Sequence, residues 1–563
     1  MAAAVPPPDT SQVGAEIETS ARPRPADAAH AHTDTTQVLP AGTKHVAAPH
    51  KWLIAVSIIL GPILEVLDSS IVNVSLPHMQ GSFSAGVDEV AWVVTSYLVA
   101  NGIMIPMTGW ISARFGRKRY FMLSLFSFIC ASALCGAARS LGQMIVFRLV
   151  QGLAGAAMVP SSQAIMMETF PPEEQQLAMA TWGVGMMVAP VTGPTLGGWI
   201  TDNWNWRWNF YINVPLGIVA LIMVSAFVHD PAYLSRRHQG SKVDWLGIVC
   251  LVLWLGLLQI VCDRGQRADW FSSSWVVWAA GFSALAMIIL ISHELRFPQP
   301  ILELHILKIR QFSSAVVVVV LLSFILFGSG FLNPIFLQEF MGYTAWRAGL
   351  VMLPRAIAGM GSMLLAGQIS RAGYDNRRLI GVAFAIVAFG LWRMSGWNLA
   401  ISISRVMFDG FILGAGLGLS FPILSAAALS SIRRENMGYA ASLYNMTRNT
   451  GAAVGIAYLT NTLLSHQQIH QSYLVQHFSV FDAWRMSNAA GYAPGAPGFH
   501  FAEQMVSGQR QGLGMVYHAI QQQSAMLAFN DIYRMLAVIA LVTIPSFALF
   551  QSAKPKPAGT AVH

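Results

Sequence analysis

A chain of 563 residues that is 54% hydrophobic, only 11% charged and of mean hydropathy +0.52 carries more apolar side chain than a water-facing surface can hide. Those values exclude an ordinary soluble domain and point to an integral membrane protein. The formal charge of +8 calls for no nucleic acid, because basic loops retained on one face of a bilayer give the same sign.

In chain order, residues 1–50 are rich in Ala, Pro, Thr and His, lack an apolar run, and read as a disordered cytoplasmic tail. No short apolar core with a cleavage site precedes the first span, which is therefore expected to serve as its own insertion signal. Apolar runs of about 20 residues then fall at 52–72, 90–112, 120–138, 143–165, 177–201, 209–229, 244–262, 275–292, 312–335, 346–368, 378–396, 403–424, 438–462 and 531–551. The fold class is thus an all-α integral membrane protein with 14 transmembrane spans. An even count puts both termini on one side. Arg114, Arg117, Lys118 and Arg119, then Arg236, Arg237 and Lys242, then Arg296, Lys308 and Arg310, then Arg371, Arg377 and Arg378, then Arg433 and Arg434 fall in loops of a single face, which the positive-inside rule makes cytoplasmic.

A loose echo between GWISARFGRKR (Gly109 to Arg119) and GQISRAGYDNRR (Gly367 to Arg378) suggests two halves. The expected organisation is a six-helix bundle over 51–230, two inserted linker helices over 244–292, a second six-helix bundle over 312–551, and a cytoplasmic tail over 552–563. The second bundle includes a hydrophilic non-cytoplasmic loop, 465–530, with the stretch NAAGYAPGAPGFH at Asn488 to His500 and then a Gln-rich, amphipathic helix expected from Ala502 to Leu527. Loops of that length usually have a use; this one reads either as a solvated insertion or as a docking surface for a partner.

Charges inside a bilayer are costly, so they are usually functional or neutralised by a partner. Glu65 and Asp68 lie three residues apart in the first span and share a helix face. Arg148 in the fourth span carries a permanent charge. Such a group cannot shuttle protons, but by approaching and withdrawing it can change how firmly a carboxylate holds one. Asp409 is a further acid within the apolar segments. In the fifth span, Gly185, Gly193, Gly197 and Gly198 fall among Pro190 and Pro194, residues that weaken a soluble helix but that membrane helices use for close packing and bending. The four cysteines, Cys130, Cys135, Cys250 and Cys262, sit in or beside apolar runs, and the His and Cys spacing fits no zinc motif. Neither disulfide nor metal site is expected. With no Walker A loop the chain is expected to use no nucleotide and no other cofactor.

Several of these stretches carry a family resemblance. GxxxxPxxGPxxGG from Gly185 to Gly198 resembles the antiporter motif of major facilitator drug exporters, and WRWNFYINVPLG from Trp206 to Gly217 resembles the segment after it in the fourteen-helix drug:proton antiporters of the EmrB/QacA type. LDSSIVNVSLP (Leu67 to Pro77) is similar to that family's acidic first-helix motif, FRLVQGLAGAA (Phe147 to Ala157) to its fourth-helix motif, and GWISARFGRKR to its loop 2–3 motif through Gly109, Arg114, Gly116, Arg117 and Lys118. Ala113 stands where that loop motif has an acid. The resemblance, over residues 52 to 551, is strongest to permease subunits of the EmrB type.

It implies a major facilitator fold, two six-helix bundles with two helices between them, in a bacterial cytoplasmic membrane. It further implies proton-driven export of hydrophobic or amphipathic drug-like compounds by alternating access, with no enzymatic activity. Asp68 and Arg148 would couple the proton, Glu65 or Asp409 would be a second acid or a substrate charge site, the Gly185–Gly198 motif would be the hinge and the 109–118 loop the gate. A periplasmic adaptor and an outer-membrane channel are partners that the resemblance allows, the protomer acting as a monomer within such a complex. Uptake symport on the same fold and a non-transporting receptor or scaffold are the rival readings.

Overall fold

Helix is the sole regular structure among the described residues of the computed structural model, which are 50–229, 243–298, 300–372, 374–476 and 510–549. Lipid offers no partner to a free N–H or C=O, so spanning segments must satisfy their backbone internally. Each of the fourteen expected spans falls on helix. In order they are α1 (Lys51–Phe83); α2, running end to end through Trp92–Met104, Ile105–Met107 and Thr108–Phe115; α3 (Arg117–Ala137); α4 (Leu141–Thr169); α5 (Gln175–Asn203); α6 (Trp208–Phe227); and α7 (Trp245–Arg264). They continue as α8 (Ser274–Glu294), α9 (Arg310–Phe340), α10 (Ala345–Arg371), α11 (Asn376–Met394), α12 (Ile403–Ser430), α13 (Met437–Gln476) and α14 (Arg510–Thr543). Ten of these are long and apolar enough to cross a membrane by length and composition; α2, α5, α11 and α13 are long helices of lower apolarity.

The tails before His50 and after Leu549, the bases Arg236, Arg237 and Lys242, and the stretch Asn488 to His500 lie outside the described residues. Within the expected loop 465–530, Ser465 to Gln476 continue α13, a departure from the sequence reading, whereas the helix expected over Ala502 to Leu527 is present from Arg510 and runs on without a break into the last apolar run as α14. Polarity marked this segment as non-spanning, but Gln- and His-rich sequence without proline keeps helix propensity, and two adjacent helices can extend each other beyond the bilayer.

The inserted pair α7 and α8 pack on each other through Ser283 Oγ, which donates to Trp254 O at 2.8 Å. The pair leans on α2, where Ile103 abuts Gly256 and Thr95 bonds Asp263. Its outer faces expose Trp245, Trp278, Phe282 and Ile288, as expected of lipid-facing side chains.

Contacts between the two bundles concentrate at the end that carries the 114–119 and 433–434 bases. There α5 meets α10, since a Cβ on Gly367 would lie 2.9 Å from Leu177 Cα, and α2 meets α13, since a Cβ on Gly109 would lie 2.7 Å from Tyr439 Cα. The two glycines of the sequence echo thus occupy corresponding positions on opposite sides of one seam. Thr108 Oγ1 and Ser442 Oγ are 2.6 Å apart, Asn445 Nδ2 donates to Gln163 Oε1 at 2.6 Å, and the Trp182 and Phe421 rings stack with centroids 5.8 Å apart. Toward the opposite end α5 and α10 present exposed residues instead, among them Val188, Trp199, Trp346 and Leu350.

Candidate functional site

Two helices of the first bundle, α4 and α6, converge on one carboxylate of a third, α1. Asp68 of α1 is fully buried, and its Oδ2 accepts from Arg148 Nη1 of α4 at 2.5 Å. Its Oδ1 accepts from Gln151 Nε2 at 2.9 Å and from Asn213 Nδ2 of α6 at 2.8 Å. Arg148 and Gln151 face Asp68 together because they are three apart on α4, one helical turn. Asn213 also donates to Ser132 Oγ of α3 at 3.1 Å, and Ser132 in turn donates to Phe210 O at 2.8 Å. The guanidinium is held on its other sides: Nε donates to Val93 O at 3.1 Å, Nη1 to Gln151 Oε1 at 2.8 Å, and the Tyr97 ring lies 4.2 Å away in cation–π range.

Nearly every polar atom around the ion pair is therefore engaged, the condition under which a charge pair survives burial. Chemically the arrangement can switch. A proton on Asp68 would cancel the charge that holds Arg148 and set an O–H against other donors, Arg148 at Oδ2 or Gln151 and Asn213 at Oδ1. Sequence reasoning named Asp68 and Arg148, and the structure brings them together. It missed Asn213, which lies inside the quoted WRWNFYINVPLG stretch near the start of its span.

Glu65, a turn before Asp68, does not join this cluster. Its Oε1 accepts from Asn101 Nδ2 of α2 at 2.8 Å, its Oε2 has no protein partner, and the charge of Arg448 on α13 reaches it across the seam between bundles. Asp409 is elsewhere, buried in the second bundle, where Arg393 Nε is 2.6 Å from Oδ1 and Trp397 Nε1 donates to Oδ2 at 2.9 Å. Arg355 donates to Ser329 Oγ at 2.9 Å and lines a small cavity with Asn333, Trp397 and Val406.

The glycine and proline helix α5 runs unbroken through Pro190 and Pro194 and lies against α1. A Cβ on Gly185 would lie 2.5 Å from Ile59 Cγ2, one on Gly193 2.6 Å from Ser70 Cβ, and one on Gly197 2.9 Å from Ile71 Cγ2. Gly198 differs: its nearest neighbour, Val74 Cγ1, would be at an ordinary 3.8 Å. Asn209, also from the WRWNFYINVPLG stretch, ties the far end by donating to Ser75 Oγ at 2.6 Å and Thr201 Oγ1 at 2.7 Å.

In the 109–118 loop, Gly116 takes φ 91°, a conformation that glycine adopts without strain, and closes the α2–α3 turn. Arg114 lies over the Trp110 ring, Lys118 Nζ donates to Ser225 O at 2.8 Å, and buried Arg117 pairs with Glu168 at the end of α4. Ala113 removes the motif's own acid, and Glu168, not singled out from sequence, supplies one to Arg117 from another helix.

Residues 58–456 match the family model described as Major Facilitator Superfamily. The chain is 33% identical over 463 residues to the multidrug export protein EmrB of Haemophilus influenzae, covering 81% of this chain and 90% of that protein. It is 32% identical over 495 residues to EmrB of Escherichia coli K12, covering 87% and 94%. Among solved structures, the human organic anion transporter MFSD10 superposes with a TM-score of 0.57 over 90% of this chain and 100% of that one, at 14% identity, a likeness of fold alone.

Proposed function

The chain belongs to the major facilitator superfamily, and from that premise we propose that it is a proton-driven multidrug exporter of hydrophobic and amphipathic compounds, working by alternating access in a bacterial cytoplasmic membrane. The observation that carries this reading is the Asp68–Arg148 pair, a buried acid and base on two different helices, in a bundle sealed against its partner at one end only. The basic loops make the sealed end cytoplasmic, with both termini on that side. Substrate would leave from the opposite, open end. Proton binding to Asp68 would free Arg148 and loosen α1, α4 and α6 together, while Glu65 faces the seam where a cationic substrate group would meet it.

The test is drug-induced proton release from purified protein in detergent. Asp68→Asn should release no protons yet still exchange substrate downhill, whereas Glu65→Gln should keep release and alter mainly the preference for cationic drugs. Full release from Asp68→Asn with none from Glu65→Gln would overturn the assignment. For the segment between α13 and α14 we propose docking to a periplasmic adaptor. Deleting Asn488 to His500 should spare flux in proteoliposomes and lower resistance in cells; equal resistance removes the adaptor from the scheme.

A further inference from the structure

The helical extensions beyond the bundle bring together three side chains that the transport reading does not use. His466 and His470 lie one turn apart on α13, and Asp531 of α14 faces both: His466 Nδ1 is 3.0 Å and His470 Nε2 2.7 Å from the same Oδ2. One ligand atom from each residue lies within 4.8 Å of the other two. His466 is twenty-nine residues beyond Met437, where α13 begins at the sealed end. At 1.5 Å per residue that is about 44 Å along the helix, beyond the roughly 30 Å of a hydrocarbon core. Side-chain exposures of 41% for His466, 27% for His470 and 29% for Asp531 leave the group open to water yet held by its neighbours.

We propose that His466, His470 and Asp531 bind a divalent transition-metal ion of the zinc class, which staples α13 to α14, with water completing the coordination. The donor set decides the class: two imidazole nitrogens and one carboxylate suit Zn, Co or Ni, whereas Ca and Mg take oxygen shells. Spacing of i and i+4 puts both rings on one face of α13, and the carboxylate arrives from the neighbouring helix. Tetrahedral bonds of about 2.0–2.1 Å would set the donors about 3.3 Å apart, so the present 2.7 and 3.0 Å need open by only a few tenths of an ångström. Partly exposed rings can make that adjustment. Arg534, 60% exposed, approaches the other carboxylate oxygen at 3.8 Å, leaving Oδ2 to the metal while moderating the affinity. Sequence spacing pointed away from zinc because the third ligand lies 61 residues from His470.

The experiment uses the full chain without a polyhistidine tag, stripped with chelator and titrated with ZnCl₂ by calorimetry and with CoCl₂ by visible absorption. One Zn²⁺ per chain, a Co²⁺ spectrum of tetrahedral or five-coordinate type, and a rise in unfolding temperature on adding Zn²⁺ are expected. H470Q and D531N should each weaken Zn²⁺ by more than the about 10–100-fold typical of a supporting hydrogen-bond partner. H466Q, at the most exposed position, keeps the fold and should lower affinity as well. Binding of unchanged stoichiometry and affinity in H466Q and H470Q, or no saturable Zn²⁺ binding to the parent chain, overturns the site.

Discussion

Asp68 shows what burial demands of a single residue. An ionised carboxylate away from water must recover its lost hydration through partners, and here three donors from α4 and α6 converge on it. Removing one member of such a pair leaves the other buried and unpaired, at a cost of about 3–5 kcal/mol, whereas replacing both is often close to neutral. Asp68→Asn and Arg148→Gln should therefore each lower the unfolding temperature in detergent, and the double variant should recover most of the loss while accumulating no drug. A double variant less stable than either single would mean that the two residues do not act as a pair. The acid and the base were legible in the sequence because a charge in an apolar span stands out and both sit on recognisable motifs. Asn213 and Glu168 were not legible. An amide and a loop-end acid gain meaning only from what faces them, here Asp68 and Arg117 across separate helices.

At the scale of the element, α5 is organised by what it lacks. Without Cβ atoms at Gly185, Gly193 and Gly197, α1 lies against it closely enough for Ser70 and Ile71 to fill the space that side chains would take. Pro190 and Pro194 withdraw two backbone donors from the same turns, so the helix is tightly packed on one face and weakened along its axis. Gly193→Leu should push α1 away and reduce flux by more than about tenfold, a loss of at least roughly 1.4 kcal/mol of barrier lowering, with substrate affinity at equilibrium little changed. Gly198→Ala serves as the internal control, since the nearest atom there leaves room for a methyl group. Normal flux in Gly193→Leu would remove the hinge. Spacing alone placed all four glycines in one motif, and only the observed rotation of α5 against α1 separates the three that pack from the one that does not. The same gap between pattern and geometry explains the α13–α14 boundary. Polar composition located the end of the apolar run, but a helix paired with its neighbour continues past the lipid, where hydropathy no longer reports on it.

For the whole molecule the proposed cycle requires that a proton bound inside one bundle move the seam between two. One proton entering down a membrane potential releases about 2.3 kcal/mol per 100 mV, enough for roughly a 50-fold gradient of a neutral substrate, but only if the seam opens once per cycle. The seam is held at the end that carries the basic loops by small, specific contacts: Thr108 to Ser442, Gln163 to Asn445, the Gly109 and Gly367 approaches, and the Trp182–Phe421 stack. Apart from the one aromatic stack, these contacts are polar or glycine-lined, so they can part without exposing an extended apolar core, as a reversible gate requires. Arg117, which pairs with Glu168, also reaches the start of α13 close to Gly438, so in the proposed cycle the 109–118 loop would move with this gate. A covalent bond across the gate should trap the outward-open state. In a chain whose four native cysteines are replaced, T108C/S442C should cross-link readily, because the hydroxyl oxygens they replace are 2.6 Å apart. Cross-linking should abolish drug flux in proteoliposomes, reduction should restore it, and substrate offered from the open side should still bind the locked form. Undiminished flux after complete cross-linking would show that this end need not open, and with that, alternating access through this seam would be wrong.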